Sequence, residues 1–258
     1  MKRQIRYYES YTDDFEKTKN QDFALPDDYK WVRTDLISRI MSGVIYTLAY
    51  VFSWVYCRLV LHMCIKGRRN LRGMKEAFFI FGNHTQPVGD VFIPAHCVFP
   101  RRIYTVVSPA NYGMPFIGKI LPYLGALPIA DSIQGMRELQ KAMDIRLSQG
   151  HPIVIYPEAH VWDYCTQIRP FPVTSFRFPV KMNRPSYAMT VTYRKSSIFK
   201  RPIMNVYIDG PYHGEGETSG ERAKSLHALI SAVMEQRSCE SDFSYIEYRN
   251  NDKQDENR

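Results

Sequence analysis

"AFFIFGNHTQPVGD" occupies residues 77–90. It opens as an unbroken apolar and aromatic run, then turns polar, with Pro87 and Gly89 inside the polar part. A short apolar run closed by turn residues reads as a strand buried on both faces. His84 therefore follows a strand directly, and Asp90 comes six positions later. Ligand crevices in open α/β sheets form at the C-terminal ends of strands. Pro87 suits the first turn of a helix, so His84 is expected in a strand-to-helix loop. A neutral imidazole there can take a proton from a hydroxyl. A carboxylate on its other nitrogen would fix the tautomer and stabilise the imidazolium that forms, and Asp90 is the nearest candidate. The competing reading is a helix-capping loop with a solvated histidine.

Working outward, the same strand signature recurs at "IYTVV" (103–107), "PIVIYP" (152–157), "YAMTVTY" (187–193) and "IMNVYID" (203–209). Between them Ile133, Met136, Leu139, Met143 and Leu147 recur at helical spacing, with Ser132 as a cap and Gly150 as a stop. A second amphipathic stretch, Ser219 to Arg237, carries Ala223, Leu226, Ile230 and Val233 on one face. Strand and helix in alternation imply an α/β protein. The expected architecture is a mixed, largely buried sheet flanked by helices, preceded by an N-terminal membrane-embedding helical segment.

That segment is "IMSGVIYTLAYVFSWVYC", Ile40–Cys57, with no charge inside it and Arg39 and Arg58 at its ends. As a helix it would reach about 27 Å, near the hydrocarbon thickness of a bilayer. The bland alternative is a buried core helix. Lys30, Arg33 and Arg39 precede it, and Lys66, Arg68, Arg69, Arg72 and Lys75 follow. A single span would leave one basic cluster on the wrong side. The sequence therefore favours a segment embedded in one leaflet, bent into a helix pair near Gly43 or Ser53. The resulting division is a polar lead-in over 1–35, a membrane-associated helical segment over 36–66, a catalytic α/β domain over 67–240, and a charged tail over 241–258 expected to be disordered.

Over 258 residues the formal charge is +8, which suits an anionic partner. The basic residues cluster beside the apolar segment, so an anionic membrane surface is expected rather than nucleic acid. Five scattered cysteines with no CxxC pair argue against a disulfide framework or zinc ribbon and for a reducing compartment. No cleavable signal peptide is visible.

A second polar constellation, "YPEAHVWDY" (156–164), also follows a buried strand, which puts Glu158 and His160 on the rim with His84. "LGALPIAD" (124–131) is an apolar stretch ending in Asp131. In the order "GNHTQPVGD", "GALPIAD", "IYPEAH" and "YAMTVTY", with "KGRRNL" ahead of them, these blocks resemble the glycerolipid acyltransferase superfamily, which includes bacterial lysophosphatidic acid acyltransferases. The resemblance covers about residues 36–237. It implies that His84 is the general base and Asp90 its orienting partner. Asn83, Glu158, His160 and Arg169 would lie around the substrates, with no metal and no cofactor. The acyl donor would be an acyl-CoA or acyl carrier protein thioester, and the acceptor a lysophospholipid or related glycerolipid hydroxyl. The implied location is the cytoplasmic face of the cell membrane.

The departures from the family pattern matter. The histidine-to-aspartate spacing is one residue longer than usual, and Gly89 is the natural place to absorb it. Asp131 and Val161 stand where the family has arginines, and Ala159 and His160 replace its glycine and threonine. Those arginines hold the acceptor phosphate in the family. Arg169, and less readily Arg177, could replace them, or the acceptor could lack a phosphate. Two other readings compete: a metal-dependent hydrolase with His84, Asp90, Glu158 and His160 as ligands, and a non-catalytic lipid-binding protein that keeps the fold.

Overall fold

The structure is a computed structural model, and it describes residues 4–15, 22–26, 28–199 and 201–251. In chain order the elements begin with β1 (Gln4–Tyr8), α1 (Leu36–Val55), β2 (Cys64–Lys66), β3 (Phe79–Gly82), α2 (Ile93–Val98) and β4 (Tyr104–Val107). Then come α3 (Ile117–Leu124), β5 (Ala126–Pro128), α4 (Ile133–Ser148), β6 (Ile153–Ile155) and α5 (Arg177–Lys181). The chain closes with β7 (Ser186–Arg194), β8 (Ile203–Tyr212), α6 (Ser219–Ser238) and β9 (Ile246–Asn250).

Residues 78–81 form the centre of the molecule. Successive strand side chains point to opposite faces. Phe79 and Phe81 therefore enter one core, with Leu139 and Met143 of α4 and Leu226 and Ile230 of α6. Phe78 and Ile80 enter the other, with Ile93 and Cys97 of α2 and Cys57 and Leu61 beyond α1. All four are completely or almost completely buried, each contributing about 1.5–3 kcal/mol of burial. Truncating Phe81 to alanine would cost about 3–5 kcal/mol.

The main sheet has the order β2-β8-β7-β3-β6-β4-β5. Strands β3 to β7 run parallel, β8 is antiparallel to β7, and β2 is parallel to β8. This is the mixed, buried sheet with flanking helices expected from the sequence. Ser132 caps α4 by accepting from Gly135 N–H, and Gly150 takes a left-handed conformation just past its end. α6 opens on a reciprocal capping box between Thr218 and Glu221, and its buried face is Ala223, Leu226, Ile230 and Met234.

Three expectations need correction. Leu36 to Val55 is one continuous helix, extended by a wider turn over Tyr56–Val60, and neither Gly43 nor Ser53 bends it into a pair. Its companion is α3, tied by Ser42 Oγ donating to Tyr123 O at 2.8 Å. Second, the helical segment does not reach residue 66, because Cys64–Lys66 is already the edge strand β2. Third, the lead-in and tail are not independent appendages. β1 pairs in parallel with β9, Gln4 opposite Ile246 through Tyr8 opposite Asn250. Tyr8, Ile246 and Tyr248 then bury against Trp162. The rest of the charged tail, 252–258, lies outside the described residues.

Residues Leu36–Val60 are long and apolar enough to cross a membrane, with mean hydropathy 1.5. The helix is not a core helix: Leu48 is 65% exposed and Phe52 61%.

Candidate active site

Because β3, β6 and β7 run parallel, their C-terminal ends share one rim, and the loops after them meet there. Asn83 extends the β3–β7 ladder with its side chain, since Nδ2 donates to Val191 O at 3.0 Å and Oδ1 accepts from Val191 N–H at 2.8 Å. It is buried and both halves of its amide are occupied. This pairing fixes where the next residue stands.

That next residue is His84. Its Nδ1–H donates to Asp90 Oδ2 at 2.7 Å. The same oxygen accepts the backbone N–H groups of Thr85 and Gln86, each at 2.8 Å. A carboxylate oxygen that already accepts two backbone N–H groups acts as acceptor toward the imidazole as well. This sets the Nδ1–H tautomer and leaves the Nε2 lone pair free. Among the described residues no group bonds Nε2, and the His84 side chain is 20% exposed while that of Asp90 is 2%. The six-residue spacing is absorbed by a 3₁₀ turn over Gly89–Val91. Gly89 does not use a positive φ, contrary to expectation. What it supplies is space, since a Cβ there would stand 2.9 Å from Gln86 Cβ.

The tyrosines that complete the site carry no motif of their own. The Tyr156 ring stacks on His84 with centroids 4.5 Å apart, and its hydroxyl donates to Asp90 O at 2.6 Å. Gly82 makes this possible, because a Cβ there would meet Tyr156 Cε1 at 2.7 Å. Burial, and secondarily the Asp90 charge, push the Tyr156 phenol well above its ordinary pKa, so it remains a donor. Tyr193, near the end of β7, shares hydrogen bonds with Thr85 Oγ1 at 2.7 Å and Gln86 Nε2 at 2.8 Å. Period-two alternation along "YAMTVTY" could have placed Tyr193 inward, but nothing in the sequence named its partners.

Glu158 and Arg169 do meet, in a way the sequence did not foresee. Arg169 Nη2 donates to Glu158 Oε2 at 2.7 Å, with both side chains 1% exposed. Glu158 also accepts His84 N–H at 3.0 Å and Arg169 N–H at 3.1 Å. Arg169 Nη2 bonds His160 O in addition, and Trp162 covers the guanidinium at 4.8 Å. The pair locks the 156–169 loop onto the back of His84. Arg169 is thus drawn back onto Glu158, with its Nε and Nη1 buried and unpartnered, and Glu158 bonds the His84 backbone. His160 is half-buried, with Nδ1 4.0 Å from Asp14. Arg177 is exposed at the start of α5, Asp131 is exposed beyond β5, and neither bonds the histidine loop.

Among the described residues no three His, Cys, Asp or Glu side chains form a metal-ligand group. Of the four residues of the hydrolase reading, Glu158 is already engaged by Arg169 and two N–H groups. Buried Cys97 and Cys165 have thiols pushed up to about 12 by burial, which leaves them poor nucleophiles.

A cation missed by the sequence reading is Arg201, in the hairpin loop between β7 and β8. That loop rises from the same rim as His84. Arg201 acts electrostatically on Tyr56 and Tyr164, and Tyr164 N–H donates to Thr85 O at 2.9 Å. Exposed Val88 and Val91 stand on the histidine loop itself. Directly after Asp90, Val91 and Phe92 line an apolar groove shared with Tyr46, Tyr50, Leu121 and Leu124.

Among solved structures, the chain is similar to the crystal structure of the 1-acyl-sn-glycerophosphate (LPA) acyltransferase PlsC from Thermotoga maritima. Identity is 15% and the TM-score 0.51, over 78% of this chain and 95% of that one. At that identity the likeness is one of fold. No protein-family model matches the sequence, and no curated protein matches it.

Proposed function

We propose that this protein is a membrane-associated O-acyltransferase that moves a fatty acyl group from a thioester to a lipid hydroxyl. The observation that carries the reading is the His84–Asp90 pair at the end of β3, with Nδ1 anchored and Nε2 open. Nε2 takes the proton of the acceptor hydroxyl as its oxygen attacks the thioester carbonyl. Asp90 stabilises the imidazolium in place. The tetrahedral adduct collapses by breaking the carbon–sulfur bond, and the departing thiolate receives the proton from the imidazolium. The ester product and a free thiol leave, with no acyl-enzyme required. The apolar groove beside Val91 and Phe92 suits the acyl chain. Likeness in fold to an LPA acyltransferase supports the reaction class.

The acceptor is read as a lysophospholipid or related glycerolipid, and the donor as acyl-CoA or acyl carrier protein. With Arg169 withdrawn to Glu158, Arg201 takes over as the cation for a phosphorylated acceptor. An uncharged acceptor is the alternative if Arg201 proves silent. The exposed apolar stripe of α1 would lie in one leaflet with Val88 and Val91 turned to the same surface, and the α/β domain on the cytoplasmic face. The five unpaired cysteines are in keeping with a reducing compartment.

The deciding experiment gives the purified protein in detergent labelled acyl-CoA and labelled acyl carrier protein with a panel of lyso-lipids and uncharged glycerolipids. Thin-layer separation shows which acceptor gains label. A labelled ester formed by the wild type and lost in His84→Ala is expected. No ester from any pair would end the proposal.

A further inference from the structure

At the opposite end of the sheet from His84 lies a cavity of ≈ 520 Å³, within the range of small-ligand sites. It opens where β4 and β5 begin, before the strands rather than after them. Lys30, Arg33, Arg39, Arg102, Arg146 and His151 line it, and no aspartate or glutamate does. Among the described residues, none of these cations takes part in an ion pair. Asp35, two residues from Arg33, is spent on Ser38 N–H at 2.8 Å as the cap of α1.

The cations are held in place by neutral groups. Arg102 lies over the rings of Tyr46 and Tyr104 at 4.6 and 5.2 Å, and Arg146 over Tyr104 at 4.6 Å. Arg33 covers Tyr123 at 5.1 Å and donates to its hydroxyl at 3.2 Å. Two guanidiniums on one tyrosine ring repel each other. Burial lowers the Arg146 pKa, with Arg102 adding to it, and burial together with Arg102 and Arg146 lowers that of His151. The Nε atoms of Arg33, Arg102 and Arg146 are buried without a partner. Like charges gathered without a counter-charge are unfavourable until an anion enters, and planar guanidinium forks match phosphate oxygens.

We infer that this cavity is a binding site for a phosphate monoester or pyrophosphate group, separate from the His84 site and independent of the reaction assigned there. Ser38, Arg39 and Ser42 of α1 form one wall. The phosphate could therefore arrive on a lipid headgroup from the membrane or on a soluble molecule.

Isothermal titration of the full chain in nonionic micelles separates the two sources. One arm adds inorganic pyrophosphate. The other compares micelles carrying phosphatidylinositol 4-phosphate with micelles carrying phosphatidylinositol. Saturable binding is expected in at least one arm, unaltered by His84→Ala. Arg33→Gln and Arg146→Gln should each weaken it roughly ten- to a hundredfold. Arg39→Gln, at an exposed position, serves if either of those fails to fold by circular dichroism. Pyrophosphate binding identifies a soluble ligand, and binding confined to the monoester lipid identifies a headgroup. No binding in either arm overturns the site, as does binding indifferent to every arginine variant.

Discussion

Replacing Arg169 by methionine tests the arrangement behind His84 most sharply. The change removes a guanidinium whose partner, Glu158, would then be a carboxylate with a side chain 1% exposed. Two backbone N–H groups at 3.0 and 3.1 Å would remain to it, but no counter-charge. Breaking a buried pair on one side costs about 3–5 kcal/mol, because a charge is left without its partner. For a chain of this size each kcal/mol moves Tm by about 2–4 °C, so a fall on the order of 6–20 °C is expected. Adding Glu158→Gln to Arg169→Met should recover part of the loss, with a coupling of about 1–3 kcal/mol. Thermal unfolding in detergent, followed by near-ultraviolet circular dichroism, gives both numbers. The loop also holds His84 through its N–H, so kcat should fall while the acceptor KM moves little. An unchanged Tm together with a raised acceptor KM would refute the reasoning and return Arg169 to the substrate.

Other outcomes follow from the same geometry. His84→Ala should lower turnover ~10²–10⁴-fold with the fold intact, and Asp90→Asn should also be impaired, since the imidazole loses its counter-charge; steady-state kinetics beside circular dichroism check both. Arg201→Gln should raise the KM of a phosphorylated acceptor and leave that of the thioester unchanged, and an equal rise in both would remove its assigned role. Leu48→Lys with Val51→Lys should shift the protein from the membrane fraction to the soluble fraction, read by sedimentation without detergent, because both side chains lie on the exposed face of α1. Stability should fall as pH drops below about 6.5, the unfolded pKa of histidine. Burial, and then Arg68, lower the pKa of His96, so the unfolded chain takes up the proton first and gains on the native state. His151, also lowered, contributes in the same direction. His96→Gln, which can still meet Ser53 Oγ, should flatten the dependence of Tm on pH.

The strands were legible because burial on both faces makes them short runs dominated by apolar and β-branched residues, interrupted only by small polar groups such as Thr190, Thr192 and Asn205, and Phe78 to Phe81 need no partner information to be recognised. The His84–Asp90 pair was legible for a local reason: six residues and one tight turn set it. What escaped depended on burial and on distant partners. Arg169 looks the same in sequence whether it faces solvent or Trp162. The Glu158 carboxylate gave no sign that two N–H groups and a guanidinium would saturate it. β1 and β9 are short and half polar, so neither announces a strand, and their pairing joins residues at opposite ends of the sequence. The cationic cavity draws on four separate stretches, around 30–39, 102, 146 and 151, none of which is a motif alone. Gly89 was read for its freedom of rotation when its missing side chain was what mattered.

The β1–β9 pairing has a consequence for the order of events on the ribosome. Synthesis runs from β1 through α1 before any of the parallel strands exist, so the apolar helix can reach a bilayer while the rest is still unmade. Its first neighbour in sequence, β1, must wait until Ile246–Asn250 emerges. Trp162 lacks one of its covers for the same interval, because Tyr248 stacks on it at 4.7 Å. The loop that steadies His84 is thus clamped last. A nascent chain held at the membrane would carry its strands and its histidine but not a finished reaction centre, and competence would arrive as a single late step when the two ends of the chain close over the loop.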